Sequence, residues 1–245
     1  MTYKTDIDLY LQKHGFEALR PKAVLFDMDG VLYDSMPNHA VAWQQSMAQF
    51  GITMTAHDAY ATEGARGVDT IRMMVKAQQG RDIDEQESQR MYDEKTRQFH
   101  LMPETPVMPG IRQLMRQIKD CGLQIGVVTG SGQRPLIQRL LSDFSDYLDE
   151  AHITTAYDVK RGKPYPDPYL AGLMKAGNIK PWEALVVENA PLGIRAGVAA
   201  EIFTIGVNTG PLPDEALSCE GANLLFPTMP AFSDEWQHLY SSFQL

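Results

Sequence analysis

Short apolar runs alternate with amphipathic stretches over most of this chain. Ala23-Val24-Leu25-Phe26, Leu123 to Val128 and Leu185-Val186-Val187 are β-rich runs ending in polar or glycine residues, as strands buried on both faces do. Ile202 to Val207 is a fourth, ending in Asn208-Thr209-Gly210, and His152 to Thr155 is a weaker fifth. Between them the apolar positions fall at helical spacing. Ile111, Leu114, Met115 and Ile118 predict one helix face, Leu136, Leu140 and Leu141 a second, and Leu170, Leu173 and Met174 a third. Strands alternating with helices of this length predict an α/β fold, a Rossmann-like parallel sheet with helices on both faces.

The pattern changes between Ser35 and about Pro106. Trp43, Met47 and Phe50 repeat at helical spacing, as do Ile71, Met74 and Val75, and no strand pattern interrupts them. Asp84 to Phe99 is dense in charge and free of Gly and Pro, which predicts a solvated helix with one buried stripe. The charged cluster Asp82 to Arg97 therefore reads as a water-facing surface rather than a site. The expected organisation is a discontinuous core, residues 18–35 and 106–245, interrupted by a helical cap over 36–105. Residues 1–17 form an N-terminal extension, expected as a helix packed on the core.

Composition narrows the partners. The 245 residues carry 31 Asp and Glu against 22 Lys and Arg, a formal charge of −9. That balance argues against nucleic acid and against an anionic membrane surface, both of which are recognised by clustered cations. Apolar runs stay far below the roughly 18 residues of a spanning helix, and the first twenty residues lack the continuous apolar stretch of a signal peptide. Cys121 and Cys219 are the only cysteines, too few for a disulfide framework, so a cytoplasmic location is expected. A monomer is expected.

Four segments carry chemistry. Asp27-Met28-Asp29-Gly30 places two carboxylates just past the first strand, where open α/β sheets bind their ligands. An Asp-x-Asp pair alone arises about once by chance in a chain this long, and a turn pair is the competing reading. The strand before it and the Gly after it sharpen the signal. Thr129-Gly130-Ser131-Gly132 follows the second strand and precedes a helix, so Thr129, Gly130 and Ser131 can offer a hydroxyl and backbone N–H groups to an anion. Lys163 stands in a loop stiffened by Pro164, Pro166 and Pro168, and Glu188-Asn189 closes the third clear strand.

In this order and spacing the four segments resemble the haloacid-dehalogenase-like phosphotransferases, from about Lys22 to Phe226. The insert resembles the helical cap of the β-phosphoglucomutase-like group. The resemblance implies phosphoryl transfer through an aspartyl-phosphate on Asp27, with Asp29 as general acid and base, Thr129 holding a phosphoryl oxygen and Lys163 offsetting charge. That charge matters: a carboxylate about 4 Å from a phosphate charge is opposed by on the order of 4 kcal/mol at an effective dielectric of about 20. The resemblance implies Mg²⁺ held by Asp27, Asp29 through its carbonyl, and Asn189, with Glu188 orienting Lys163 or a metal-bound water. Many relatives carry Asp where this chain has Asn189, so weaker metal binding is expected unless substrate phosphates or another carboxylate compensate; a tolerated variant is the first reading, and a shifted substrate class or reduced activity the alternative. Burial and a neighbouring anion are expected to raise the pKa of Asp29 for its acid role.

The cap would choose the substrate. His39 either touches the hinge or the general acid, or is a packed helix residue. Arg66 is expected to clamp a second phosphate. Glu63 is expected to accept hydroxyl hydrogen bonds or to ligate a metal carried by a substrate as small as pyrophosphate; a helix N-terminal charge is the alternative. Sugar-phosphate mutases of this group have a further Arg three residues after the loop Gly, where this chain has Thr70. The leading expectation is a phosphohydrolase for a small phosphate ester or pyrophosphate, with β-phosphoglucomutase as the alternative and a non-enzymatic binding protein as the third class.

Overall fold

A computed structural model describes residues 3–243 of the chain. The five expected strands form as β1 (Ala23–Phe26), β2 (Gln124–Val128), β3 (Ile153–Thr154), β4 (Ala184–Glu188) and β5 (Phe203–Val207). A sixth, β6 (Leu224–Phe226), escaped the pattern because it is a half-buried edge strand of three residues. All neighbours pair in parallel, in the order β3-β2-β1-β4-β5-β6. The central strand β1 is flanked by β2 and β4, and the chain reverses direction across the sheet at this point.

The helices are α1 (Lys4–His14), α2 (Met36–Ala48), α3 (Ala56–Ala61), α4 (Gly67–Gln79), α5 (Glu85–His100), α6 (Ile111–Asp120), α7 (Arg134–Asp143), α8 (Asp167–Lys175), α9 (Pro191–Ala199), α10 (Asp214–Ser218) and α11 (Met229–Ser242). Successive side chains of β1 point to opposite faces of the sheet. Val24 and Phe26 join the cluster built by α1, α6, α7 and α11, while Leu25 joins that of α8 and α9. Both faces are covered, and the strands are apolar throughout for that reason. Truncating a fully buried Leu25 to Ala would cost about 2–5 kcal/mol.

One predicted face is out of register. In α8, Tyr169 and Leu173 are buried while Leu170 and Met174 are 43% and 69% exposed. The Tyr169 hydroxyl donates to Glu188 Oε1 at 2.9 Å, so the residue that reads as neutral in a hydrophobic pattern turns inward for a polar reason.

Helices α2 to α5 surround a separate apolar cluster of Trp43, Met47, Ile52, Ile71, Val75 and Met91 among others, and no strand occurs among them. The chain crosses between the two parts twice, and the crossings pair. The Asp34 N–H donates to the Pro106 carbonyl at 3.0 Å and the Met108 N–H to the Leu32 carbonyl at 2.9 Å, with Tyr33 antiparallel to Val107. Helix α1 buries Ile7 and Tyr10 in the cluster on that face of the sheet. No helix among the described residues is long and apolar enough to cross a membrane.

Candidate active site

The four segments converge at the carboxyl ends of β1, β2 and β4. Asp27 follows β1, Thr129 follows β2, and Glu188 is the last residue of β4. Each sits where a strand hands over to a loop, so the sheet fixes the backbone that carries it. Two glycines make the convergence sterically possible. Gly30 has φ +77° and a Cβ there would lie 2.0 Å from the Asn189 side chain; a Cβ on Gly193 would lie 1.8 Å from Glu188 Oε1.

On the core side Lys163 is 3% exposed and anchors a closed network. Its ammonium donates to Asp27 Oδ1 and Glu188 Oε1, both at 2.6 Å, and to the Val128 carbonyl at 3.0 Å. Glu188 Oε2 accepts the N–H groups of Asn189 and Ala190 at 3.0 and 3.2 Å. With Tyr169 on Oε1, both Glu188 oxygens are engaged inside the protein. Of the roles open to Glu188, this arrangement supports orienting Lys163 rather than ligating a metal directly. Burial works against the Lys163 charge, yet Asp27 and Glu188 outweigh it and push its pKa up. Burial pushes the Asp27 carboxyl up to about 7 against the pull of Lys163, with Glu188 and Asp29 adding to the rise.

The cap side meets the core at Asp29. Its Oδ1 accepts from Ser35 Oγ at 2.6 Å and from His39 Nε2 at 3.1 Å. On the far side of the imidazole, Lys95 Nζ lies 2.6 Å from Nδ1. This fixes the tautomer by chemistry: Nδ1 accepts from the ammonium and Nε2–H donates to the carboxylate. Burial and then Lys95 lower the His39 pKa, in keeping with a neutral ring. The ring stacks on Phe99 at 4.2 Å between centroids. His39 therefore touches the general-acid position and is at the same time a packed helix residue.

Two expectations are corrected here. Burial does push the Asp29 carboxyl up, but His39, Ser35 and Lys95 outweigh it and leave its pKa lowered to about 2. The cations and donors of the cap supply what a count of nearby carboxylates misses. The charged stretch 82–97 is also more than a solvated surface. Lys95, one residue of that stretch, is 4% exposed, lies over the rings of Trp43, Tyr92 and Phe99, and lines the pocket. Its place on the stripe Ser88, Met91, Lys95, otherwise small or apolar, was the available signal.

The pocket has a volume of about 60 Å³ and is lined by Asp27, Asp29, His39, Glu63, Lys95, Gly130 and Ser131, with Trp43, Thr70 and Tyr92 on its cap side. Burial first, then Asp29 and Asp27, hold the Glu63 carboxyl well above the usual carboxylate range, with Lys95 opposing them. Thr129 is buried and its hydroxyl accepts the Ser131 N–H at 3.0 Å; the Ser131 hydroxyl accepts the Gln133 N–H at 3.3 Å. Arg66 is placed elsewhere. It forms a two-pronged pair with Asp69 at 2.7 and 3.2 Å, donates to the Lys160 carbonyl, and faces a second cavity of about 540 Å³ beside Arg161 and Tyr165. A pattern cannot tell which way the long Arg66 side chain turns, and the neighbouring carboxylate decides it.

Among the described residues no three His, Cys, Asp or Glu side chains converge at metal-ligand spacing. However, Asn189 Oδ1 is buried without a hydrogen-bond partner beside Asp27 and the Asp29 turn. An orphaned buried carbonyl oxygen suits a hard cation bound by oxygen, the preference of Mg²⁺. The donors that fit are Asp27, the Asp29 main-chain carbonyl and Asn189.

A parallel sheet with a buried carboxylate after its central strand, a buried lysine on that carboxylate and a helical insert over both is the arrangement of the haloacid dehalogenase-like hydrolases. Residues 21–201 match the family model for haloacid dehalogenase-like hydrolase, and the chain belongs to that family. It is similar to hexitol phosphatase A of Escherichia coli, 31% identical over 78% of this chain and 84% of the relative. It is also similar to β-phosphoglucomutase of Bacillus subtilis, 28% identical over 77% of this chain and 84% of the relative. A Bacteroides vulgatus structure provisionally described as a β-phosphoglucomutase superposes with a TM-score of 0.95 at 48% identity, covering 99% of this chain and 98% of that one.

Proposed function

We propose that the chain is a Mg²⁺-dependent phosphohydrolase that works through an aspartyl-phosphate on Asp27 and acts on a small phosphate ester or inorganic pyrophosphate. The observation that carries this reading is the pocket, lined by Asp27 and Asp29 from the core and by Glu63 and Lys95 from the cap, with no arginine from the cap among its lining residues. Thr70 lies where the mutases of this group carry an arginine, which favours hydrolysis over mutase chemistry. Similarity to hexitol phosphatase A and to a phosphorylated carbohydrates phosphatase of Thermotoga maritima supports the phosphate-ester side of the reading.

The chain's own residues would divide the work. Asp27 Oδ attacks phosphorus, the bond to the leaving oxygen breaks, and Lys163 offsets the charge that gathers on the transferring group. Thr129 and the Gly130–Ser131 backbone hold its oxygens. Asp29, held ionised by His39 and Ser35, is suited to take a proton from the attacking water when the aspartyl-phosphate is cleaved. A leaving phosphate needs less protonation than a leaving alcohol, so an acid as strong as Asp29 is consistent with pyrophosphate. Mg²⁺, when bound, would supply charge neutralisation at the phosphate, held by Asp27, the Asp29 carbonyl and Asn189. Cap closure would keep water out until transfer is complete.

The test is product analysis. Phosphate release from pyrophosphate or from sugar phosphates, dependent on Mg²⁺, is expected. Glucose 6-phosphate formed from β-glucose 1-phosphate, without net phosphate release, would establish the mutase instead.

A further inference from the structure

We propose that Arg139, far from the reacting groups in sequence and outside the pocket, is the positioning residue that fixes the angle of the cap. The two chain crossings form a paired ribbon, and the side chain of Arg139, on helix α7 of the core, touches both strands of it. One guanidinium nitrogen donates to the Thr105 hydroxyl at 3.1 Å and the other to the Thr105 carbonyl at 2.5 Å. Its Nε pairs with Glu104 at 3.0 Å and with Asp143, one helical turn on, at 3.2 Å. Its flat face lies 4.6 Å from the centre of the Tyr33 ring on the opposite crossing. The Tyr33 hydroxyl closes the circuit by donating to Asp143 at 2.9 Å. Thr105 and Tyr33 are both buried, at 7% and 4% exposure, unusual for residues of a connecting ribbon.

The same helix reaches the cap at its other end. Gln133, which immediately precedes α7, hydrogen-bonds His100 at the end of α5 through Nε2 and Oε1, 3.0 Å apart. Between these two contacts α7 emerges from the Thr129–Ser131 loop. On the ribbon side, Tyr33 belongs to the loop that carries Asp29, since the Gly30 N–H donates to the Tyr33 carbonyl at 2.8 Å. Arg139 therefore joins three things with one group: the outgoing crossing, the returning crossing and the helix that starts at the phosphate loop. Only a planar fork with a stackable face can hold a carbonyl, a hydroxyl and a ring at once, so lysine is a poor substitute. The consequence is that the cap residues His39, Glu63 and Lys95 meet Asp29 and Asp27 in one fixed geometry when inorganic phosphate occupies the site. The inference rests on the pocket being a phosphate site, but it is read without turnover.

The experiment is amide hydrogen exchange on the full chain, with and without inorganic phosphate and Mg²⁺, for wild type, Arg139→Met, Arg139→Lys and the gentler Tyr33→Phe. In wild type, phosphate is expected to slow exchange of the cap loop 62–66 about tenfold. In Arg139→Met that slowing is lost and the amides of Asp34 and Met108 exchange at least tenfold faster, while β1 and β4 stay within twofold of wild type. Arg139→Lys is expected to recover less than half of the effect, and Tyr33→Phe to give a smaller loss of the same kind. Unchanged cap-loop and ribbon amides in Arg139→Met overturn the proposal. Uniformly faster exchange across the sheet in Arg139→Met marks a variant that loses the fold, and the decision then passes to Tyr33→Phe, which with the sheet intact must loosen the ribbon or the proposal is overturned. Phosphate slowing the cap loop of wild type without any turnover would leave Arg139 in its role and remove the hydrolase reading alone.

Discussion

Two buried lysines stand behind the paired carboxylates, Lys163 on Asp27 and Lys95 behind the His39–Asp29 contact, and their surroundings could hardly differ more. Lys163, on the core side, is packed among anions and a carbonyl, and its charge is locked on. Lys95, on the cap side, is packed among three aromatic rings and a neutral imidazole. Burial lowers its pKa to about 8, with Asp29 and Glu63 opposing the fall. The core lysine is therefore a permanent counter-charge, built into the part that does the chemistry. The cap lysine is a conditional one, held in the helical insert, and its charge is most stable when an anion lies beneath it.

Breaking the core network should have the largest effect. Asp27→Asn is expected to lower kcat by about 10⁴-fold or more while the chain stays folded, as judged by circular dichroism and steady-state phosphate release. Lys163→Met strips the counter-charge from Asp27 and Glu188 together. It should cost about 3–5 kcal/mol of stability in urea unfolding at pH 7 besides abolishing turnover. A stable, active Lys163→Met would end the contrast with Lys95.

Next comes Asp29, where the two networks touch. Asp29→Asn should lower kcat by about 10²–10⁴-fold with a far smaller change in KM, the outcome that the proposed role in proton transfer requires. Its folded pKa, lowered to about 2 from 3.8, also predicts an acid signature. That stability is present above pH 4 and is lost as the pH falls through 2, about 2 kcal/mol in all. Acid unfolding of Asp29→Asn should lack this part, and curves identical to wild type would count against the hydrogen-bond network.

The smallest effect, and the one of opposite sign, belongs to Lys95. Lowered to about 8 from 10.5, it costs the folded state whenever it is charged. Between pH 8 and 10.5 the unfolded chain holds a proton that the folded one lacks, so stability should rise with pH there, by about 3 kcal/mol at most. Lys95→Met should be as stable as wild type or more so at pH 7, lose that rise, and raise KM about tenfold through the missing charge. Destabilisation like that of Lys163→Met would merge the two lysines into one class.

The contrast also explains what a sequence can carry. The core residues Asp27, Thr129 and Glu188 each follow or end an apolar strand, and Lys163 is marked by the prolines of its loop, so pattern and chemistry coincide and the sheet and helices were legible together. Lys95 sits in a charged helix whose inward stripe, Ser88, Met91 and Lys95, is short, so the one signal for its burial was weak and tertiary packing was needed to make it plain. Arg66 fails for the opposite reason: its position in the cap loop was right, but Asp69 three residues on captures the guanidinium. The α8 face was misread because Tyr169 is turned inward by a hydrogen bond to Glu188, which no apolar period contains. The low pKa of Asp29 was out of reach because it depends on donors from the cap.

The pairing of the two crossings has a broader consequence. With the Asp34 amide 3.0 Å from the Pro106 carbonyl, the cap begins and ends at nearly the same point in space. In terms of chain architecture it is one long hairpin loop hung from a finished sheet. Its contents can be lengthened, shortened or exchanged without moving β1, β2 or β4. On the proposed reading, in which the cap chooses the substrate and Asp27 attacks it, substrate choice can drift between relatives while that carboxylate and its lysine stay where they are.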